Sequence, residues 1–225
     1  MQMREYLTKY DSLASEDALF DIPMRKEYLI SKIGRGKKVL DVGCLGGKIS
    51  RLIMDQNNEV LGLEVNPVAA EAARKRGVKV QLANVEDGLP FDDASFDVVN
   101  AGEILEHLYD TKNFLEEARR VLRTGGLLIF TTTNLNSLEN RIRVASGGYL
   151  SMAGAYPEDH FGAHVRVFNL PKIRELCFET DFEIIDVAGV TNLDSRGKWI
   201  DGPLGLVGKL LPSFSKILLI TAQKQ

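Results

Sequence analysis

Asp41, Gly43, Gly46, Gly47 and Glu64 are the residues whose types and spacing carry chemistry in this chain. The run Lys38-Val-Leu-Asp41-Val-Gly43-Cys44-Leu45-Gly46-Gly47 reads as an apolar strand that passes through an acid into small residues opening a helix, a geometry that holds a nucleotide-like cofactor. Val39, Leu40 and Val42 suit a strand buried on both faces, and the glycines let backbone N–H groups approach a ligand that a Cβ would keep away. Glu64 lies 21 residues beyond Gly43. That interval returns a chain through a crossover helix to a neighbouring parallel strand, where an ionised carboxylate can accept from both hydroxyls of a ribose. Counting from Gly43, Leu45 and Lys48 stand where a dinucleotide fingerprint needs glycine, which disfavours NAD. Gly47-Lys48-Ile49 lacks the hydroxyl of a phosphate-cradling loop, which disfavours nucleoside triphosphates.

The elements that must position these residues follow from periodicity. Apolar strands are predicted near 38–43, 59–65, 78–84, 96–101 and 126–133, with helices near 47–57, 67–76 and 111–123 between them and another near Met24–Ile33 before the first strand. Such alternation gives an α/β, doubly wound parallel sheet with helices on both faces. In the helix from Thr111, Phe114, Leu115, Ala118, Val121 and Leu122 share one face. Glu116, Glu117, Arg119, Arg120 and Arg123 make a solvated one, and Gly125-Gly126 ends the helix. Pro171–Phe178 adds a helix, Phe182–Val190 a sixth strand and Lys216–Lys224 a seventh. Leu45, as a branched residue inside the loop, is expected at an ordinary negative φ.

Length and composition agree. The 225 residues, 44% of them hydrophobic, suffice for one domain with one substantial core. A net charge of −3 exerts no global pull on nucleic acid, although a local basic patch around Arg141 and Arg143 stays open. Two cysteines, Cys44 and Cys177, suggest neither a metal cluster nor a secreted disulfide scaffold. With no apolar signal core at Met1-Gln-Met-Arg-Glu-Tyr6 and no apolar run of membrane-spanning length, the chain is expected to be cytoplasmic.

The glycine loop resembles the first motif of the class I S-adenosylmethionine-dependent methyltransferases, an acid followed by alternating glycines. Gly62-Leu-Glu64-Val65-Asn66-Pro67 is similar to the second motif of that family, and Leu89-Pro-Phe91 with Ser95-Phe-Asp-Val-Val99 to its approach to strand four. The likeness runs from about Lys37 to Asn134, more weakly to Lys224, and is of the small-molecule type, methyltransferase types 11 and 12. It departs at Leu45, where the family places its middle glycine. The resemblance implies a Rossmann-like sheet of about seven strands with the last antiparallel, and S-adenosyl-L-methionine as cofactor with S-adenosyl-L-homocysteine as product. It implies cofactor contacts at Asp41 (methionine amino group), Gly43, Cys44, Gly46, Gly47, Glu64 (ribose), Val65, Val85 (backbone N–H to adenine) and Ala101. Asn84 either accepts from the adenine amino group or is an ordinary turn residue at a strand end.

Leu135–Val165 and Thr191–Ser215 stand outside the sheet pattern, follow strands whose carboxyl ends face the cofactor, and read as substrate-side insertions within a single domain spanning 1–225, with a helical extension over 1–34. Residues 1–20 either complete a lid or form a tail. In Glu103-Ile-Leu-Glu106-His107, the histidine is the candidate general base, since imidazole titrates in the useful range, or it fixes the turn by hydrogen bonding. His160 and His164 fall short of a zinc set, so no metal is expected. Arg166 is a candidate partner for a substrate anion. The function expected is in-line transfer of the sulfonium methyl to a small or medium-sized metabolite. An RNA or protein methyltransferase, or a non-catalytic cofactor-binding regulator, are the alternatives. Apolar residues at Leu204–Leu211 leave open a lipid-like acceptor.

Overall fold

The computed structural model describes residues 23–148, 150, 164–191 and 210–225. Helix α1 (Pro23–Ile33) precedes β1 (Lys38–Val42), α2 (Lys48–Met54), β2 (Glu59–Glu64), α3 (Pro67–Lys75) and β3 (Lys79–Leu82). Then come β4 (Phe96–Gly102), α4 (Thr111–Val121), β5 (Leu122–Thr133), α5 (Leu138–Ala145), α6 (Leu170–Glu179), β6 (Phe182–Val190) and β7 (Ile217–Lys224). The strands form one sheet in the order β3-β2-β1-β4-β5-β7-β6. The first five pair in parallel, and β7 runs antiparallel between β5 and β6, as the resemblance implies. The carboxyl ends of β1, β2 and β4 therefore meet at one edge, on either side of the point where strand order reverses, the position at which open α/β sheets bind ligands.

Leu40, Val42, Val99, Phe114, Leu115, Ala118 and Phe130 pack on one side of the sheet, and Leu29, Val39, Ile53, Val98, Ile129 and Leu219 on the other. Local chemistry sets the element ends. Asn66 accepts from the N–H of Val68 and Ala69 at 2.8 and 3.1 Å and Pro67 fixes the first helical φ, so α3 starts where β2 stops.

The junction of α4 and β5 differs from expectation. Helix α4 stops at Val121, because Leu122 is already extended and pairs with Phe96; Gly125 and Gly126 lie within β5, beside the register shift between Phe96 and Val98. The charged face of that helix is also more than solvated. Arg120 donates to the carbonyls of Leu89 and Phe91 and to Glu117 and Asp93 at 2.7–2.8 Å, clamping the approach to β4. No described helix is long and apolar enough to cross a membrane. The expectations placed on residues 1–20, His160 and most of Leu204–Leu211 lie outside the described residues.

Candidate functional site

The glycine loop between β1 and α2 is tied to the end of β2. The N–H groups of Gly43 and Cys44 donate to the Leu63 carbonyl at 2.8 and 3.2 Å, and that of Gly47 to the Cys44 carbonyl at 2.9 Å. Leu45 is left-handed at φ 47°, contrary to the expected negative φ. The reason is visible in its N–H, which this conformation turns onto Oε2 of Glu64 at 2.9 Å, a charge-assisted bond that offsets the roughly 1–2 kcal/mol of left-handed strain. Oε1 of Glu64 accepts from Val65 and Asn66, both at 2.9 Å. Glu64, 3% exposed, thus presents a carboxylate fixed in plane by three backbone donors at the sheet edge.

The loop glycines serve close packing more than N–H presentation. A Cβ at Gly43 would collide with Ile104, and one at Gly47, whose φ is 80°, would lie 2.9 Å from the Ala73 Cα. With the amides of Gly43, Cys44, Leu45 and Gly47 bonded internally, this is no phosphate cradle, which agrees with the rejection of P-loop chemistry. Cys44 is buried against Ala73 and Val78, so its side chain serves the core.

Beneath the loop lies a small, half-open recess lined by Arg25, Asp41, Gly43, Leu45, Asn100 and Gly102 among others. Asp41, 2% exposed, accepts from Ser50 Oγ at 2.5 Å and Asn100 Nδ2 at 2.6 Å, rather than from loop amides. Burial raises its pKa, while those two donors and the nearby Arg25 oppose the shift. Ala101 is fully buried in the core; strand alternation turns Asn100 and Gly102 toward the recess instead.

Arg25 escaped the sequence reading. It is 3% exposed on α1, with Asp41, Glu103 and Glu106 as its charged neighbours, and burial lowers its pKa against their attraction. Gly102 makes room for it, since a Cβ there would strike the guanidinium. The sequence signal was a lone arginine in an otherwise ordinary helical pattern, 16 residues before Asp41.

Just past the end of β2, Val65 is 59% exposed. Asn84 caps the 3₁₀ turn Val85–Asp87, its Oδ1 accepting from Glu86 N–H at 3.1 Å, so the turn role foreseen for it is observed.

Across the edge, Glu103 follows β4 at φ 55°, a left-handed conformation for a non-glycine residue of the kind that gathers at functional sites. Glu106 is fully buried and accepts from Thr132 Oγ1 at 2.9 Å. Burial first, and then the charge of Glu103, push its carboxyl up to about 9. A proton on Glu106 supplies the donor that Glu103 Oε1 and Glu106 Oε1, both buried and otherwise without a hydrogen-bond partner among the described residues, require. His107 sits on the same turn, edge-to-face with His164 at 5.0 Å between ring centroids. The sequence placed His164 with His160; the fold places it with His107 and Glu106, where the three ligand atoms lie within 4.8 Å of one another. Three such groups could hold a metal ion only with Glu106 ionised, against the direction burial imposes.

Residues 40–130 match the profile of the methyltransferase domain family. A Mycolicibacterium smegmatis protein named a probable S-adenosylmethionine-dependent methyltransferase is 34% identical over 169 residues, covering 72% of this chain and 60% of its own. The ubiquinone biosynthesis O-methyltransferase of Alkalilimnicola ehrlichii is 29% identical over 161 residues, 64% of this chain and 65% of that protein. The chain thus spans somewhat under two thirds of the length of these two relatives. Among solved structures, a Thermotoga maritima S-adenosylmethionine-dependent methyltransferase, described as a possible histamine N-methyltransferase, superposes with a TM-score of 0.66 at 20% identity, covering 98% of this chain and 97% of that one. One from Methanosarcina mazei superposes with a TM-score of 0.65 at 21% identity, covering 90% and 97%. These last two speak to the fold. Together with the acid-and-glycine edge described above, the profile match makes residues 40–130 a methyltransferase domain, and the related sequences are similar to it as S-adenosylmethionine-dependent methyltransferases of class I type.

Proposed function

We propose that the protein transfers the methyl group of S-adenosylmethionine to a nucleophilic atom of a small or medium-sized metabolite. The observation that carries this reading is the glycine loop, in which the amides of Gly43, Cys44, Leu45 and Gly47 are bonded inside the protein, set between the fixed carboxylate of Glu64 and the recess lined by Arg25 and Asp41. Such an edge suits a nucleoside with a zwitterionic amino-acid tail and no phosphate. Glu64 would receive the ribose hydroxyls, Asp41 the ammonium and Arg25 the carboxylate of the methionine end, and Val65, Asn84 and Val85 would flank the adenine. A desolvated arginine among carboxylates is a costly thing to bury, and an incoming carboxylate would add to its compensation.

When bound, S-adenosylmethionine supplies an activated methyl that a nucleophile takes by in-line displacement. The chain's own residues then have three tasks: to orient the acceptor, exclude water and receive a proton where the acceptor carries one. His107 is the proposed proton acceptor, half-buried beside β4. The names of the ubiquinone-pathway relatives favour a small-molecule acceptor over RNA or protein, as does the net charge of −3. The test is calorimetric titration with S-adenosylhomocysteine, followed by radiolabelled methyl transfer into separate metabolite and macromolecule pools. Saturable binding and label in the metabolite pool are expected; label in RNA or protein would replace the acceptor class, and no binding would end the proposal.

A further inference from the structure

Arg166, which the sequence offered as an anion ligand, has its guanidinium on the protein itself. Its Nε donates to the Leu108 carbonyl at 3.1 Å and its Nη2 to the Tyr109 carbonyl. The same stretch is held from the opposite side. Glu86, on the 3₁₀ turn next to Asn84 and Val85, accepts from the Tyr109 N–H at 2.6 Å and the Asp110 N–H at 3.4 Å. A cation therefore takes the carbonyls and an anion the amides of one short peptide, and both bonds are charge-assisted. A third tie runs through the backbone, where the N–H groups of Val165 and Arg166 donate to the Glu106 carbonyl at 2.9 and 3.1 Å. Asp110 then caps α4 by accepting from Asn113 at 2.9 Å, so the gripped peptide has a rigid exit.

We infer that Arg166 and Glu86 are positioning residues for methyl transfer: between them they fix the Leu105–Asp110 turn so that the His107 ring stands against His164 and faces the acceptor. The inference rests on the proposed function for the identity of the reaction, but the clamp itself is a matter of geometry. It joins the adenine-side turn carrying Glu86 to the acceptor-side segment carrying His164, two stretches about 80 residues apart in sequence. Its value lies in angle and distance, because a nucleophile displaced by about 1 Å can lose on the order of a hundredfold in rate.

The test compares Arg166→Ala and Arg166→Lys with wild type in the full chain. With three histidines in the sequence, the imidazole resonances are few enough to assign, and the His107–His164 ring contact is readable by nuclear Overhauser effect. In R166A that contact should vanish. The S-adenosylhomocysteine affinity should stay within about twofold, while turnover of radiolabelled S-adenosylmethionine with a low-molecular-mass cell extract should fall by about tenfold to a hundredfold and its pH profile change. Lys keeps the charge but lacks a planar fork for two carbonyls, so R166K should fall between the two. An unaltered ring contact with unaltered turnover in either variant would overturn the proposal, as would a loss of turnover matched by an equal loss of S-adenosylhomocysteine affinity. Failure of wild type to bind S-adenosylhomocysteine would instead defeat the methyl-transfer reading and leave the ring contact to judge the clamp. Should R166A not fold, Glu86→Ala carries the same expectation from the other side.

Discussion

The two halves of the candidate site are built in opposite ways. On the cofactor side, Asp41, the glycine loop and Glu64 lie within 24 residues of sequence, and they are held by backbone bonds and by buried carboxylates that each accept from several donors. On the acceptor side, Glu103, Glu106 and His107 come from one turn, His164 and Arg166 from a segment some 60 residues later, and the group contains a buried acid held neutral beside another acid. The contrast teaches that recognition of a fixed molecule can be written locally, whereas a pocket for a variable acceptor is assembled from distant pieces whose spacing no single motif records.

The largest effect that could break this comparison is at Glu64. Replacing it by Ala removes the proposed ribose acceptor together with bonds to Leu45, Val65 and Asn66, each worth about 1.5–3 kcal/mol. S-Adenosylhomocysteine affinity should drop at least about tenfold in calorimetry, with a lower thermal midpoint as well. Unchanged affinity would move recognition away from the locally written half.

Next in size is the acid pair. Because the folded-state pKa of Glu106 is raised from 4.5 to about 9, the native state holds this proton more tightly than the unfolded chain does. The associated stability is fully present below about pH 4.5 and is lost as pH rises through about 9, with a limiting slope of roughly 1.4 kcal/mol per pH unit for one group. Denaturant unfolding of Glu106→Gln across that window should show a flatter profile than wild type, with the gap widest at the alkaline end. Parallel profiles would mean that Glu106 is ionised in the fold.

A moderate effect is expected at Gly102→Ala, whose Cβ displaces Arg25. Cofactor affinity should fall several-fold, while the His107–His164 contact persists; simultaneous loss of both would show the two halves to be one unit. The smallest effect belongs to Leu45→Gly. Glycine relieves left-handed strain but loosens the unfolded chain, so stability should change by less than about 1 kcal/mol and S-adenosylhomocysteine affinity hardly at all.

Much of the sheet was legible because buried parallel strands announce themselves as apolar runs bounded by turn residues, as in Lys38–Val42 and Phe96–Gly102. The Glu64 position was legible for the same reason. Leu45 was not, since its φ is set by a carboxylate 19 residues away rather than by its own preferences. Nor was the end of α4, where pairing of Leu122 with Phe96 overrode a helical pattern. Arg25 was invisible as a site residue because only the packing of α1 brings it to the edge, and His164 was legible as a candidate beside His160 but not as the neighbour of His107, since only the placement of the segment before α6 brings those rings together.

The bond between Tyr28 and Thr221, 2.9 Å long across 193 residues, has a temporal consequence. The helix bearing Arg25 settles on Ile217 and Leu219, so the earliest described element docks on the latest. During synthesis the acid-and-glycine loop therefore leaves the ribosome long before β7 does, and a nascent chain stalled short of Ile217 would carry the recognisable motif while the helix bearing Arg25 still lacked its contacts with Ile217, Leu219 and Thr221.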